Sequence, residues 1–579
     1  MMPHALQSLW FYAKLNAFVL AEFAVGALLL CVFVAASLRT RWGDGLVARL
    51  RRCARDRLLA ASVPVVLMLA GRMALLPVLG VPYPGMGRDE FSYLLAADTF
   101  ASGRLTNPTH PYFRHFESPH VIQRPSYASK YPPGQGLVLA LGQVLGHPWI
   151  GVVLSMAALV MATGWALRAW VPPEYAFMGA LLVALRLGIS SYWMNSYFGG
   201  ALAALGGALA FGALPRVSRG VVSGGIALGL GFGLLVCTRP LEGFLTAAAL
   251  CIAAAFAIGR LPRKRLRSVV APSLTAAAIL AVFLGWLAFY QWRVTGNPFR
   301  MPYQVWREQY SDAPYWLWQR MPEPRQFDHE RLQAWATYER QELSTGQDPV
   351  VRVQNLTRVM ASFYWGPLLF VLVVASAPRL FGRSRIRPVV LAVLGAAAAM
   401  NVASLYFWIA HYPAPLTAGF LVIAVHSARL WRIRLTGLLG KWSRSRRVAG
   451  RAAWAGVASL AATIVVMMPV GVALANSHRK WILPEPGSGW CCTANIKARN
   501  EVERRIQAVP GRHLVLVNYV PGARPAMEWV YNGASIDDAR IVWAHTRTPD
   551  EDAKLVRYFH GRTVWFVEIG PTDVALRKR

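Results

Sequence analysis

The chain has 579 residues, of which 55% are hydrophobic, and its mean hydropathy is +0.35. Its 61 Lys and Arg residues outnumber 28 Asp and Glu residues, which gives a formal net charge of +33. Because clusters of arginine recur in short loops between alternate apolar runs, the charge indicates membrane topology and argues against nucleic-acid binding. Continuous apolar runs of about 20 residues are typical of membrane-spanning helices.

The apolar runs predict twelve transmembrane helices. Their approximate ranges are 15–37, 58–80, 148–168, 174–191, 197–214, 221–238, 241–259, 269–292, 361–378, 388–408, 413–429 and 452–475. When the chain is threaded through a membrane with these spans, every arginine-rich loop falls on one face, which the positive-inside rule makes the cytoplasm. We therefore predict an α-helical polytopic protein of a bacterial inner membrane.

Three large segments fall on the opposite, periplasmic face. They are two outer loops, residues 81–147 and 293–360, and the tail from residue 476. The first outer loop contains a predicted helix from Asp89 to about residue 101 and a second short helix at about 135–145. We therefore predict a transmembrane domain, residues 1–475, followed by a periplasmic domain, residues 476–579.

The tail has the alternating pattern of a small α/β domain. Its predicted elements in chain order are a helix at 495–509, strands at 513–519 and 540–545, a helix at 549–559 and a strand at 562–568. The tail lacks a G-x-G-x-x-G fingerprint, so the sequence does not indicate nucleotide binding there.

Two adjacent carboxylates, Asp89 and Glu90, follow Gly87-Arg88 at the start of the first outer loop. Such a pair supplies a general base or ligands for a divalent cation such as Mg²⁺ or Mn²⁺. The alternative is that both carboxylates only cap a helix N-terminus, where anions are favoured. The local sequence leaves both interpretations open.

Basic residues follow this acidic pair in the same loop. They are Arg104, His110, Arg114, His115, His120, Arg124 and Lys130, and Tyr131 comes directly after them. A carboxylate beside several cations suits a site that deprotonates a hydroxyl and holds a phosphate leaving group. The three histidines have neither helical nor C-x-x-C spacing and are weak evidence for zinc.

Further polar residues lie at the predicted outer ends of the spans, level with the acidic loop. These cavity candidates are Arg186, Asn195, Tyr197, Arg239, Glu242 and His411. Charged groups in lipid are costly unless they line a cavity or pair with each other. Each residue is therefore either part of a site or a structural ion pair or interfacial anchor.

The first outer loop, with its acidic pair, its surface helix and the run Lys130-Tyr131-Pro132-Pro133-Gly134-Gln135-Gly136, resembles that of the GT-C superfamily of membrane glycosyltransferases. Within that superfamily the chain is similar to the protein O-mannosyltransferases and the lipid A aminoarabinose transferases. The resemblance covers residues 58–475 by topology, and by motif only the first outer loop. An extra span before residue 58 departs from the simplest family layout.

The resemblance implies transfer of a sugar from a polyprenyl-phosphate carrier to a cell-envelope lipid, glycan or protein on the periplasmic side. It implies that Asp89 is the base and Glu90 its supporting partner, and that the reaction inverts the anomeric centre. Lys130, with Arg88 and Arg124, is expected to hold the lipid phosphate. Some family members use a divalent metal, for which Asp89 and Glu90 are the candidate ligands.

Two other functions compete with this interpretation. A transporter or flippase of lipid-linked sugars predicts polar residues at mid-membrane and broken helices in paired halves. The charged residues here are biased to the outer ends and the sequence has no internal repeat, which favours the enzyme. A structural protein with partner-binding loops gives no reason for acidic and basic residues to lie at one depth.

Overall fold

The computed structural model describes most of the chain. The described residues are 4–39, 44–83, 88–259, 262–346, 348–382, 384, 386–405, 409–442, 459, 462–471, 497–525, 527–571 and 573–579. Helices dominate up to residue 471, and a small mixed sheet follows residue 512. The predicted fold class, a polytopic helical protein with a C-terminal α/β domain, is confirmed. The domain boundary at 475/476 falls outside the described residues and stays a prediction.

Every predicted span overlaps a described helix, although more than half of the span predicted at 452–475 lies outside the described residues. These helices are α1 (His4–Arg39), α3 (Arg57–Ala74), α7 (Pro148–Leu167), α8 (Pro173–Leu182), α9 (Gly200–Val217), α10 (Val222–Thr238), α11 (Pro240–Ile258), α12 (Arg263–Thr295), α16 (Pro367–Phe381), α17 (Arg387–Ala403), α18 (Thr417–Trp442) and α19 (Ala462–Gly471). Within the described residues, six helices are long and apolar enough to span a membrane, and others are shorter apolar helices. The protein is thus a multi-pass membrane protein.

The remaining helices lie between the spans or in the C-terminal domain. They are α2 (Asp44–Arg55), α4 (Leu76–Leu79), α5 (Arg88–Ala101), α6 (Pro133–Val144), α13 (Pro302–Tyr310), α14 (Glu330–Gly346), α15 (Pro349–Val359), α20 (Lys497–Gln507) and α21 (Pro549–Tyr558). Helices α5 and α6 confirm the two helices predicted in the first outer loop. Helices α13 to α15 show that the second outer loop is also largely helical.

The span predicted at 174–191 is shorter than expected. Helix α8 ends at Leu182 and continues only as a π-helical turn, Val183–Leu187. The next residues, up to Gly199, form bends and turns whose side chains are buried. Such π-helical turns are uncommon and often lie next to functional sites. Irregular backbone at membrane depth is tolerated because here it is covered by protein.

A buried ion pair joins this π-helical turn to α1. Arg186 Nη1 lies 2.6 Å from Glu22 Oε1, and the two side chains are 1% and 4% exposed. Arg186 also donates to the carbonyl oxygens of Phe363 and Ser362, at 2.8 Å each. The sequence placed Arg186 near the outer boundary, as part of a site or of a structural ion pair. The mutual neutralisation of Arg186 and Glu22 explains how both charges are accommodated between apolar helices.

Replacing Arg186 with Met should destabilise the protein by about 3–5 kcal/mol, because the mutation leaves the Glu22 carboxylate buried without its counter-charge. The free energy of unfolding in detergent, or the thermal midpoint, measures this loss. The double variant Arg186→Met/Glu22→Leu should recover a large part of it. A single variant as stable as the parent would contradict the prediction.

The C-terminal sheet has the strand order β4-β3-β5-β6. Its strands are β3 (His513–Tyr519), β4 (Ile541–His545), β5 (Thr563–Ile569) and β6 (Val574–Lys578), where β3 is parallel to β4 and β5, and β6 is antiparallel to β5. The predicted strands and both predicted helices are present. Strand β6 was not predicted, because an edge strand ending in Leu-Arg-Lys has little apolar pattern of its own.

The C-terminal domain packs directly on the first outer loop. Leu95, Phe116 and Tyr127 of the loop share one hydrophobic cluster with Leu514 and Val542 of the sheet. Polar contacts surround that cluster. They include Tyr127 Oη donating to Asn532 O at 2.8 Å, Ala534 N donating to Asp98 Oδ2 at 2.6 Å, and His110 Nε2 beside Asp537 Oδ1 at 3.0 Å. The domain therefore helps to hold the shape of the loop that carries Asp89.

Candidate active site

Asp89 lies in the first turn of α5, where three parts of the first outer loop meet. Its Oδ1 is 2.8 Å from His120 Nδ1, and it accepts a very short hydrogen bond from the Tyr131 hydroxyl. The Asp89 side chain is 24% exposed, so it remains accessible while most of its surface is covered. The first outer loop thus brings together residues more than forty positions apart in the sequence.

A short hairpin explains this convergence. Strands β1 (Val121–Ile122) and β2 (Ala128–Ser129) pair antiparallel. His120 precedes β1 and Lys130 follows β2, so the two residues lie side by side at the open end of the hairpin. His120 adopts a positive φ of 71°, and its carbonyl oxygen accepts a hydrogen bond from Ser92 Oγ at 2.6 Å. Ser92 belongs to α5, one turn after Asp89. The hairpin is therefore bonded to the helix that carries the carboxylate.

The charge state of Asp89 follows from its neighbours. Burial raises the pKa of Asp89, but His120, Arg88 and Lys130 outweigh burial and hold that pKa well below its usual value. Burial lowers the pKa of His120 to about 4, against the opposing effect of Asp89. At neutral pH the pair is consequently a carboxylate and a neutral imidazole. In this state the imidazole Nδ1–H donates to the carboxylate, as does the Tyr131 hydroxyl.

Lys130 lies in a cage of aromatic rings. Its ammonium nitrogen is 3.5 Å from the centroid of the Trp306 ring, 5.1 Å from that of Tyr303 and 5.2 Å from that of Tyr131. The side chain is only 4% exposed. Aromatic faces stabilise a desolvated cation by cation–π attraction, although less completely than water does. Lys130 is thus a buried cation held beside Asp89.

Arg88 completes the group, which we call the Asp89 cluster: Arg88, Asp89, His120, Lys130 and Tyr131. The Arg88 guanidinium lies 4.1 Å from the Trp335 ring centroid, and its Nε has no hydrogen-bond partner among the described residues. A buried donor without a partner is uncommon in proteins. The cluster therefore keeps at least one donor free for an acceptor-rich ligand such as a phosphate.

The second outer loop covers the cluster with two tryptophans that the sequence analysis did not single out. The His120 ring stands edge-on to Trp306 and to Trp335, at centroid distances of 5.1 and 5.5 Å. Trp306 lies in α13 and Trp335 in α14. The spacing Tyr303-x-x-Trp306 and Trp335-x-x-Tyr338, which places each aromatic pair on one helix face, was the available signal.

The pH dependence of donor binding should follow Lys130. Burial lowers the pKa of Lys130 to about 7 from 10.5, with Arg307 and Arg88 acting in the same direction and Asp89 and Glu339 against it. The charged form is therefore lost as pH rises through about 7. The unfolded chain binds more protons between that pH and 10.5, so this residue's contribution to the unfolding free energy rises across the same window.

We expect the KM of an anionic donor to rise about tenfold between pH 7.5 and 8.5, since the cationic fraction of Lys130 falls by nearly that factor. Kinetics from pH 6 to 9 measure this, with Lys130→Arg as the control because guanidinium stays charged. A donor KM that is independent of pH in the parent protein would contradict the assignment.

Arg239 and Glu242 lie on the other side of Tyr131, at the junction of α10 and α11. Tyr131 stacks on Tyr93 with ring centroids 4.3 Å apart, and Arg239 lies near both side chains. The Arg239 guanidinium also lies 4.8 Å from the ring centroid of Tyr412 and interacts with Glu242. These residues lie next to the Asp89 cluster at the ends of the two helices, and their part in a site stays a prediction.

His411 is buried in the same region. Its Nδ1 lies 3.2 Å from the Tyr192 hydroxyl, and its ring stacks on Phe198 with centroids 5.1 Å apart. The negative charge of Asp89 acts electrostatically on the His411 imidazole without a direct contact between the two side chains. The imidazole is therefore held by its neighbours rather than directed at the carboxylate.

The other candidates do not contact Asp89. Glu90 is 2% exposed, and its Oε1 accepts a hydrogen bond from the backbone N–H of Tyr197 at 3.0 Å. Tyr197 donates its hydroxyl to Pro82 O at 2.7 Å, and Asn195 donates to a backbone carbonyl. Arg124 is exposed and lies over Phe113, 4.7 Å from the ring centroid. Glu90 thus ties α5 to the irregular segment after α8, Tyr197 ties that segment to Pro82, and Asn195 bonds within the segment.

The adjacent carboxylates of Asp89 and Glu90 have different partners, and this difference decides whether they could share a metal ion. Asp89 bonds to His120 and Tyr131, whereas Glu90 is buried against the backbone of residue 197. Among the described residues, no group of three or more His, Cys, Asp or Glu side chains is arranged to hold a metal ion. The arrangement does not fit a Mg²⁺ or Mn²⁺ ion shared by Asp89 and Glu90.

No protein-family model and no curated protein matches this sequence. Solved structures do match it. The oligosaccharyltransferase AglB from the archaeon Archaeoglobus fulgidus, in complex with an inhibitory peptide and a dolichol-phosphate, has a TM-score of 0.50 at 12% identity. The match covers 88% of this chain and 69% of the AglB chain.

ArnT from Cupriavidus metallidurans matches with a TM-score of 0.45 at 14% identity, over 88% of this chain and 93% of the ArnT chain in its apo state. The undecaprenyl phosphate-bound form gives the same TM-score and identity, with 92% of ArnT covered. At these identities a match concerns the fold. The AglB match confirms what the first outer loop and the topology predicted: this chain has the fold of the GT-C membrane glycosyltransferases.

Proposed function

We propose that the protein is an inverting glycosyltransferase that moves a sugar from a polyprenyl-phosphate carrier to a hydroxyl of a cell-envelope lipid, glycan or protein. The reaction takes place at the periplasmic face of a bacterial inner membrane, where the positive-inside rule puts both outer loops. One observation carries the proposal. An accessible, ionised Asp89 lies beside two buried cations, Lys130 and Arg88.

In the proposed reaction, Asp89 accepts the proton of the acceptor hydroxyl while that oxygen attacks the anomeric carbon of the donor. The bond from the anomeric carbon to the phosphate oxygen breaks, and its electron pair leaves on the polyprenyl phosphate. Attack opposite to the leaving group inverts the anomeric centre. Lys130 and Arg88 stabilise the charge that grows on the departing phosphate.

Donor binding also prepares Asp89 for its role. The surrounding cations hold the pKa of Asp89 well below its usual value, which makes the free carboxylate a weak base. An anionic phosphate beside Lys130 and Arg88 neutralises those cations and raises the proton affinity of Asp89. Asp89 would therefore become an effective base only after the donor has bound, and it stays ionised until then.

The membrane location of these groups suits a lipid-borne donor. The isoprenoid tail lies in the bilayer, its phosphate at the interface near Lys130, and the sugar under the second outer loop. The dolichol-phosphate named with AglB, a protein of the same fold, supports a lipid phosphate as the carrier.

The test is a transfer assay in liposomes with the purified protein. A panel of polyprenyl-phosphate sugars is offered with extracted envelope lipids and glycans as acceptors. Mass spectrometry follows the release of polyprenyl phosphate, and NMR gives the anomeric configuration of the product. Protein-free liposomes are the control. Movement of an intact lipid-linked sugar across the bilayer without bond cleavage would overturn the proposal in favour of a flippase.

A further inference from the structure

Helix α14 connects the C-terminal domain to the Asp89 cluster. We propose that Arg331 and Glu528 form a buried anchor that makes this domain a positioning element of the donor-phosphate site, acting through Trp335. The proposal rests on the function proposed above, because it names what the C-terminal domain contributes to that site.

The anchor begins at the first turn of α14. Arg331 is 4% exposed, and its Nε lies 3.9 Å from Glu528 Oε2. The guanidinium also lies 3.8 Å from the ring centroid of Tyr519, and its Nη2 donates to Arg524 O at 2.8 Å. All three partners belong to the C-terminal domain. A single side chain of the second outer loop is therefore bound on several sides by that domain.

Glu528 is held rigidly to receive it. Its Oε1 accepts hydrogen bonds from the Tyr519 hydroxyl and from the backbone N–H groups of Trp529 and Val530, at 2.8, 2.8 and 2.7 Å. The side chain is 3% exposed. Removing one partner of a buried charge pair is costly because the other charge stays desolvated. The Glu528 carboxylate therefore favours one position of Arg331, and with it one position of α14.

The same helix reaches the Asp89 cluster one turn later. Trp335 follows Arg331 by four residues and lies on the same helix face. Its ring centroid is 4.1 Å from the Arg88 guanidinium and 5.5 Å from that of the His120 ring. One helix face thus runs from Glu528 of the C-terminal domain to the cations proposed to hold the donor phosphate.

The position of Trp335 matters because its contact with Arg88 contains hydrogen-bond donors that have no acceptor within the described part of the chain. The Trp335 indole nitrogen and the Arg88 Nε are both buried without a hydrogen-bond partner among the described residues. A phosphate oxygen, which only accepts hydrogen bonds, matches both groups. A shift of α14 by about an ångström would separate Trp335 from Arg88 and weaken binding of the donor without touching the base.

The first experiment compares two matched substitutions in the C-terminal domain. Glu528→Gln keeps the shape of the anchor and removes its charge, while Glu568→Gln makes the same change in a half-exposed strand residue that pairs with Arg577. We expect the first variant to raise donor KM about tenfold with kcat and acceptor KM within twofold, and the second to change nothing. An unchanged donor KM in Glu528→Gln would overturn the proposal.

The second experiment asks whether the effect passes through Trp335. In a Trp335→Ala background, Glu528→Gln should raise donor KM by less than twofold, because the two changes act on one pathway. If Glu528→Gln raised donor KM by the same factor with and without Trp335, Glu528 would act by a route other than Trp335, and the proposal would be overturned.

A third measurement does not depend on activity. Hydrogen exchange of the full-length protein in nanodiscs should show faster exchange of α14 amides in Glu528→Gln and not in Glu568→Gln. Unaltered α14 protection would overturn the anchor even if no sugar is ever transferred. If the parent protein transfers no sugar while α14 loosens as expected, the proposed function fails and the anchor stands.

Discussion

Asp89→Asn should lower the transfer rate by about 10³-fold or more at saturating donor, since the amide cannot accept the proton of the acceptor hydroxyl. The substitution keeps the size of the side chain and one oxygen for the Tyr131 and His120 hydrogen bonds. The protein should therefore fold normally and bind the donor. Initial rates in liposomes and the KM of the donor measure the two effects separately.

Asp328→Asn is the matched control for this experiment. Asp328 lies in the second outer loop, is 70% exposed, and pairs with Arg114 on the surface. The change there should leave the rate within twofold, because exposed ion pairs contribute little. Wild-type rates in a folded Asp89→Asn variant would remove Asp89 from the role of base, although the fold and the topology would be unaffected.

Lys130→Met should raise the KM of the donor about 10- to 100-fold. The substitution removes one charged hydrogen bond to the donor phosphate, and such a bond contributes roughly 1.5–3 kcal/mol. Methionine fills the space between Trp306, Tyr303 and Tyr131 without a charge, so the cage should keep its packing. The acceptor KM should not change. Direct binding of undecaprenyl phosphate to the purified protein gives the same comparison without turnover.

Arg124→Met is the control for Lys130→Met, because both residues were sequence candidates for the same phosphate. Arg124 is exposed and lies over Phe113, outside the Asp89 cluster. Its loss should leave the KM of the donor within twofold. The reverse result, a large effect at Arg124 and none at Lys130, would move the phosphate site to the surface of the first outer loop.

The helices of this protein could be predicted because few backbone conformations satisfy their hydrogen bonds in lipid. A run of about 20 apolar residues must form a helix in a bilayer, whatever surrounds it. The C-terminal strands were also predictable, since His513–Tyr519 and Thr563–Ile569 carry dense apolar and β-branched patterns. Exceptions include two π-helical turns, Val183–Leu187 after α8 and Met360–Tyr364 before α16. Arg186 in the first turn pairs with Glu22 and donates to the carbonyl oxygens of residues 362 and 363 in the second.

The site was predictable only in part. Asp89, Lys130 and Tyr131 were named from one loop, and the structure brings them together. Glu90 was named with the same reasoning, yet consecutive residues of a helix point about 100° apart, and its carboxylate binds Tyr197 instead. Trp306 and Trp335 were missed because aromatic residues in a loop resemble ordinary packing until their partners are known.

The sequence by itself determined the apolar helices and the presence of a carboxylate among cations in the first outer loop. These depend on local composition and on the cost of charge in lipid, which act within a few residues of each other. Only the tertiary structure decided which cations meet Asp89, which tryptophans cover them and how Glu528 reaches the site through α14. Such contacts join residues from separate segments of the chain, and their energies depend on burial that no local pattern encodes.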